Sequence, residues 1–120
     1  PLLLALENGR PQIVAKLLEH GANPNTSANG VPALVMAVAR DNLESVQLLL
    51  EYNARIDVTA HDGMTPLALA VYKRNHAIAE LLLDAGADPR QKGSQGMSLA
   101  KVVQKMNDSE LINIFNNRIP

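Results

Sequence analysis

The sequence GMTPLALA at residues 63–70, followed by LLLD at 81–84 and GAD at 86–88, decides the fold of this chain. The hydroxyl of Thr65 can cap the N-terminus of a helix. Pro66 suits the first helical position, where its missing backbone N–H costs nothing. We therefore expect a short helix to begin at this point.

A second helix is predicted after a tight turn. Asn75 can cap its start, Ile78 and Leu82 are four residues apart and share one face, and Gly86 can end it. The polar stretch before the first helix, DVTAHDG at 57–63, suits a hairpin-like finger loop. Residues 57–88 therefore predict a finger followed by two antiparallel amphipathic helices.

The same pattern recurs along the chain at a constant interval. Gly30, Gly63 and Gly96 are evenly spaced, and ALVMAV at 33–38 aligns with PLALAV at 66–71. An earlier copy fits with an interval that is one position shorter. The predicted units are approximately 1–29, 30–62, 63–95 and 96–118.

Helix pairs of this length cannot bury their apolar faces alone, whereas stacked pairs share a continuous core. The alternative is an ordinary helical bundle with accidental similarity between its parts, which three matching copies disfavour. We therefore predict a single all-α domain, a solenoid of stacked antiparallel helix pairs.

Composition restricts the function classes. The chain has 120 residues, of which 47% are hydrophobic but only 2% aromatic, so the core must be aliphatic. A net charge of −1 gives no overall electrostatic case for binding nucleic acid or an anionic membrane. The absence of cysteine excludes disulfides and cysteine-ligated metals. The chain starts within an apolar pattern and without Met, so we expect it to be a piece of a longer protein.

The repeated residues resemble the ankyrin repeat, whose signature is Gly-x-Thr-Pro-Leu-His-x-Ala, then Leu-Leu-Leu, then Gly-Ala-Asp. The copy at 63–88 matches it best, and the resemblance extends over essentially the whole chain. It implies a protein-interaction module rather than an enzyme.

Departures from the signature carry their own expectations. Pro32 stands where the family has its capping Thr, so that cap is lost, while Asn53 can replace the loop glycine in a left-handed conformation. The eroded fourth unit, ending in polar residues 116–118, is expected to be a capping repeat. Because the first unit lacks its finger, we expect Leu2 and Leu4 to be partly bare.

The resemblance implies that a partner binds the finger tips and the concave side of the first helices. Matched position by position, the predicted partner-binding residues are Arg40, Thr59, His61, Asp62, Met64, Tyr72, Lys73, Lys92, Gln95 and Lys105.

The cations among them suggest the kind of partner. Arg40 and Lys73 are separated by one full repeat, Lys105 is one position from the next equivalent site, and Lys92 is predicted nearby. We therefore predict a partner with an acidic segment near an apolar residue, and Tyr72 as its aromatic anchor. The alternative is a solvated charged face on which Tyr72 merely packs against Lys73.

Residues that could carry chemistry are scattered. His20, His61 and His76 fall in different units, so we predict no metal site, no cofactor and no catalytic residue. Asn25, eight residues after Leu17, resembles the context in which ankyrin repeats are hydroxylated on asparagine. The more ordinary interpretation is an Asn that satisfies backbone groups in a turn.

Three functions remain open at this point. The first is the targeting domain of a larger enzyme or of a bacterial effector, and the second is a stand-alone inhibitor or immunity-type protein. The third, an enzyme in its own right, is the weakest. We expect a monomer, and a cytoplasmic location or the host cytosol for a secreted effector is favoured.

Overall fold

A computed structural model describes residues 1–60, 62–93 and 96–118. The described helices are α1 Leu2–Glu7, α2 Pro11–Glu19, α3 Ala33–Ala39, α4 Leu43–Glu51, α5 Pro66–Tyr72, α6 His76–Asp84, α7 Leu99–Lys105 and α8 Ser109–Asn116. The odd-numbered helices pack side by side in one layer and the even-numbered helices in a second. The stack measures 41 × 25 × 22 Å, and the predicted all-α solenoid is confirmed.

The predicted helix starts are confirmed where a side chain can cap them. The Thr65 hydroxyl accepts a hydrogen bond from the backbone N–H of Ala68 at 3.1 Å. Asn75 accepts one from the N–H of Ile78 at 3.1 Å. Pro32 precedes α3 without any side-chain cap, so the expected loss is also confirmed.

Loops between the pairs also follow the sequence. The first finger is a short antiparallel hairpin of β1 Ser27–Ala28 and β2 Val31–Pro32. Asn53 has a φ of 67°, the left-handed conformation expected where the family has glycine. The side-chain oxygen of Asn25 accepts a hydrogen bond from the N–H of Arg55 at 2.8 Å, which ties one finger to the next. This contact supports the structural interpretation of Asn25.

The core is aliphatic and runs through both layers. Leu49, Leu82 and Phe115 occupy equivalent positions of α4, α6 and α8, and each is at most 2% exposed. Ser45 is also buried in α4, but its hydroxyl has no hydrogen-bond partner within residues 1–60, 62–93 and 96–118.

One expectation about the first unit was wrong. Leu4 is 60% exposed as expected, but Leu2 is 4% exposed and belongs to the core. Residues two positions apart in a helix differ by about 200° around its axis, so the side chains of Leu2 and Leu4 point in nearly opposite directions. Of these two leucines, Leu4 is therefore the one whose side chain is not covered by another described helix.

Polar contacts fasten the fourth helix pair to the third. Nε2 of His76 lies 2.8 Å from a carboxylate oxygen of Asp108, and Nδ1 lies 3.1 Å from Glu110. Arg74 is 3.4 Å from the same Asp108 oxygen. The hydrogen bond to Asp108, opposed by desolvation and reinforced by both carboxylate charges, raises the pKa of His76. The hydrogen bond from His76 in turn lowers the pKa of Asp108.

Candidate protein-binding site

A small groove lies between the second and third finger loops, on the layer that contains α5. Its volume is about 150 Å³, and its lining residues are Asp62, Gly63, Met64, Ala68, Tyr72, Lys92 and Gly93. Four of the ten predicted partner-binding residues, namely Asp62, Met64, Tyr72 and Lys92, are therefore brought together. We call this feature the finger groove.

Backbone hydrogen bonds hold one wall of the finger groove in place. The N–H of Ala60 donates to the carbonyl of Met64 at 2.9 Å, and the N–H of Gly63 donates back to Ala60 at 2.8 Å. The Asp62 carboxylate accepts a hydrogen bond from the N–H of Met64 at 3.0 Å, which closes an Asx turn. Asp62 therefore has a local structural role in addition to its exposed position.

The opposite wall is the third finger. The N–H of Gly93 donates to the carbonyl of Met97 at 2.6 Å, and Lys92 pairs in antiparallel fashion with Ser98. The Lys92 side chain is exposed at the rim. The flexible side chain of Lys92 is thus attached to a backbone that is fixed by its pairing with Ser98.

Tyr72 forms part of the floor, at the last position of α5. Its side chain is half-buried and packs against the core. A Cβ atom at position 93 would lie 2.8 Å from the Tyr72 hydroxyl oxygen and 2.8 Å from Cδ2 of Leu99. Only glycine therefore fits at position 93 without displacing the ring or the leucine.

Three lining residues, Gly63, Ala68 and Gly93, were not among the predicted partner-binding residues. The role of Gly93 depends on the distance between a loop and a ring, for which the sequence offers no signal. Ala68 had a signal, because it stands where the family signature has His. A buried alanine there leaves the floor lower than a histidine would.

Four other predicted residues, namely Arg40, Thr59, Lys73 and Lys105, are described but do not line the finger groove. Arg40 and Lys73 follow the last residues of α3 and α5. Nζ of Lys73 is 3.3 Å from the Asp41 carboxylate and 3.2 Å from the carbonyl of Ala39, so its charge is paired with the neighbouring unit. Asp41 was not among the residues singled out from the sequence.

Thr59 is exposed in the loop before Ala60, and Lys105 is exposed at the end of α7. His61 and Gln95 lie outside the described residues.

No three His, Cys, Asp or Glu side chains among residues 1–60, 62–93 and 96–118 gather as they would around a metal ion. None of the described helices combines the length and apolar character needed to cross a bilayer.

Comparison with known proteins gives the family. The model for ankyrin repeats in three copies matches residues 1–93. A putative ankyrin repeat-containing protein of Treponema pallidum is 31% identical over 112 residues, covering 92% of this chain and 38% of that protein. The human ankyrin repeat and SOCS box protein 16 is 36% identical over 87 residues, covering 72% and 19% of the two chains. The human neurogenic locus notch homolog protein 4 is 42% identical over 90 residues, covering 73% and 4%.

The chain thus spans well under half the length of these relatives. The resemblance noted from the signature residues is confirmed by both kinds of match. Ankyrin repeats are a general protein–protein interaction module and are generally not catalytic. The chain belongs to the ankyrin repeat family.

Proposed function

We propose that this chain binds a partner protein through the finger groove and the exposed finger residues beside it. The observation that supports this is the convergence of a half-buried tyrosine, a methionine, a carboxylate and a lysine on one small concavity. Interfaces concentrate their binding energy in aromatic residues at partly enclosed positions, surrounded by a polar rim. The finger groove has the same arrangement on a small scale, with Tyr72 in the floor and Asp62 and Lys92 among the polar residues around it.

The composition of the groove defines what it would accept. Met64, Ala68 and Tyr72 offer an apolar floor that suits one aliphatic side chain of the partner. Lys92 at the rim offers a cation for an acidic residue next to that side chain. We therefore propose the partner class that the sequence predicted, a protein with an acidic segment near an apolar residue.

The basic character of this side depends more on Lys92 than on Lys73. Because Lys73 is already paired with Asp41, a partner carboxylate would have to compete for it. Pairs of this kind at the surface contribute only about 0.2–1 kcal/mol, so exchanging Asp41 for a partner carboxylate would yield little net gain in binding free energy.

The biological setting of the interaction remains a choice between two proposals. If the chain is the targeting domain of a larger enzyme or of a bacterial effector, the bound partner keeps its own activity and is brought close to the rest of that larger protein. In an inhibitor, binding at the groove blocks the partner. An activity assay of the captured partner, with and without this chain, separates the two.

The test is a differential affinity capture. The chain and the variants Tyr72→Ala and Lys92→Glu are immobilised at equal density, and the proteins retained by each are compared. A Lys16→Glu variant, with the same charge change on α2 in the other layer, is the matched control.

We expect a partner that is retained by the wild type and the Lys16 variant and lost from the two groove variants. Equal retention by all four proteins, with their circular dichroism unchanged, would show that the groove is not the binding site.

A further inference from the structure

The layer of even-numbered helices already contains one arginine site. Arg118, just after α8, reaches back over α6 and lies 3.1 Å from Glu80 and 2.8 Å from Asp84. Its Nη1 also donates to the carbonyl of Ile114 at 3.2 Å. One guanidinium group is therefore bound by two carboxylates four residues apart on α6 and by a backbone carbonyl of α8.

The same register one repeat earlier has no arginine. The residues one repeat before Glu80, Asp84, Ile114 and Arg118 are Gln47, Glu51, Leu81 and Ala85. The methyl group of Ala85 cannot reach across to α4, so the space that Arg118 fills between α6 and α8 is left open between α4 and α6.

This open space is a groove of about 550 Å³, and its lining residues are Gln47, Leu50, Glu51, Leu81, Asp84 and Ala85. All four residues in the register of the Arg118 site are among them. We call it the outer groove. It is formed by α4, α6 and the residue that follows α6, and shares no residue with the finger groove.

We propose that the outer groove binds an arginine side chain from a basic segment of another protein. The Glu51 carboxylate and the Gln47 amide oxygen are acceptors in the positions that Asp84 and Glu80 hold around Arg118. Leu50 and Leu81 are half-buried and offer an apolar surface to the alkyl part of the incoming side chain. Arginine fits better than lysine because its planar fork can donate to several acceptors at once.

The charge around the groove is complementary to such a segment. Within the bounds of the even-numbered helices there are six carboxylates and one lysine. The carboxylates belong to Glu19, Glu44, Glu51, Glu80, Asp84 and Glu110, of which Glu80 and Asp84 are paired with Arg118 and Glu110 lies beside His76. None of the described residues that line the outer groove is basic. A basic partner segment would thus be attracted to this layer before it makes any specific contact.

The probe is an N-acetylated, C-amidated peptide with two arginines around one leucine, titrated into the isotope-labelled chain and followed by NMR. The control peptide replaces both arginines with citrulline, which keeps the shape and removes the charge. We expect saturable shifts at residues 47, 50, 51, 81 and 85 with the arginine peptide only. Absence of shifts at these residues, or equal shifts with the citrulline peptide, would overturn the proposal.

Two variants test the mechanism. Ala85→Arg restores an arginine in the register of Arg118, so it should fill the outer groove from within and abolish peptide binding. Glu51→Gln removes the central carboxylate without changing shape and should weaken binding about threefold, the size expected of an exposed ion pair. Glu19→Gln, the same change on α2, should leave binding unaltered.

Wild-type affinity in both the Ala85 and Glu51 variants would refute the proposed site. Tyr72→Ala leaves the outer groove intact, so arginine binding should survive in a variant that has lost the partner of the finger groove. Failure of either proposal is therefore visible without the other.

Discussion

Replacing Ser45 with alanine is expected to stabilise the protein. Ser45 is 1% exposed in α4, and its hydroxyl has no hydrogen-bond partner among the described residues. The residues in its register are Ile13, Ile78 and Leu111, so a polar side chain occupies a position that is apolar in the other units. A substitution that removes only the hydroxyl removes an unpaired polar group from the core.

The magnitude follows from two contributions. Burial of an unsatisfied hydroxyl costs about 1–3 kcal/mol, and alanine gains a few tenths of a kcal/mol over serine within a helix. The cap of α4 is preserved, because Asn42 accepts its hydrogen bond from the backbone N–H of Ser45 and not from the side chain. After subtraction of the packing contacts that the oxygen makes, we expect the free energy of unfolding to rise by about 1–2 kcal/mol.

The assay is urea unfolding followed by circular dichroism, together with the thermal midpoint. For a chain of this size, 1 kcal/mol corresponds to about 4 °C, so the midpoint should rise by about 4–8 °C with an unchanged denaturant slope. Ser109→Ala, at an exposed position of α8, is the control and should shift stability by less than about 0.5 kcal/mol. A lower midpoint for Ser45→Ala than for the wild type would refute the reasoning, because it would mean that the hydroxyl is paired.

Three further predictions concern contacts between units. The raised pKa of His76 means that its contribution to stability is complete below its ordinary value of 6.5 and is lost as the pH rises through the folded-state value. The contribution of Asp108, whose pKa is lowered, is present above its ordinary value of 3.8 and is lost as the pH falls through the folded-state value. Urea unfolding at pH 6 and pH 8 should therefore show a loss of stability at the higher pH that His76→Gln abolishes, and an equal loss in that variant would contradict the pairing. Gly93→Ala should destabilise the protein by about 1–3 kcal/mol, since its methyl group needs space that a ring and a leucine occupy; unchanged stability by the same assay would count against this. Asn25→Ala should cost about 1 kcal/mol while Asn25→Asp, which keeps the acceptor, should cost less, and equal losses would disprove the contact between fingers.

Local signals in the sequence were sufficient for most of the fold. Thr65 and Asn75 start helices because their side chains satisfy backbone N–H groups within three residues, which requires no knowledge of the rest of the molecule. The exposure of Leu2 could not be derived in this way. Both Leu2 and Leu4 continue an apolar pattern, and only the position of the neighbouring helices decides which one is covered.

Part of the candidate site could also be predicted from the sequence, whereas the rest depends on how the units pack. The repeat register predicted that Asp62, Met64 and Tyr72 lie on the side of the stack formed by the fingers and the first helices, because equivalent positions of stacked units face the same way. It could not show that Lys73 is paired, since that pair joins two units across a distance that depends on their packing. The fit of Gly93 against Tyr72 depends on the same packing and was out of reach for the same reason.

The charged residues that pair between units and the Lys92 side chain at the finger-groove rim occupy different segments of the chain. Asp41, Arg74, His76 and Asp108, which bridge neighbouring units, lie in the turns between paired helices or at their edges. Lys92 lies in a finger, at an exposed position of the groove rim. A charge change there should alter partner binding while the free energy of unfolding stays within about 0.5 kcal/mol of the wild type.

The matched change in a turn should have the opposite effect. Asp108→Ala removes the cap of α8 and the partner of both His76 and Arg74, so it should lower stability by at least the ~1 kcal/mol typical of a lost cap. Because the finger groove is formed by other residues, partner affinity measured well below the unfolding midpoint should be retained. If Lys92→Glu destabilised the chain as much as Asp108→Ala, stability and recognition would share the same residues, and the fingers could not vary independently of the stack.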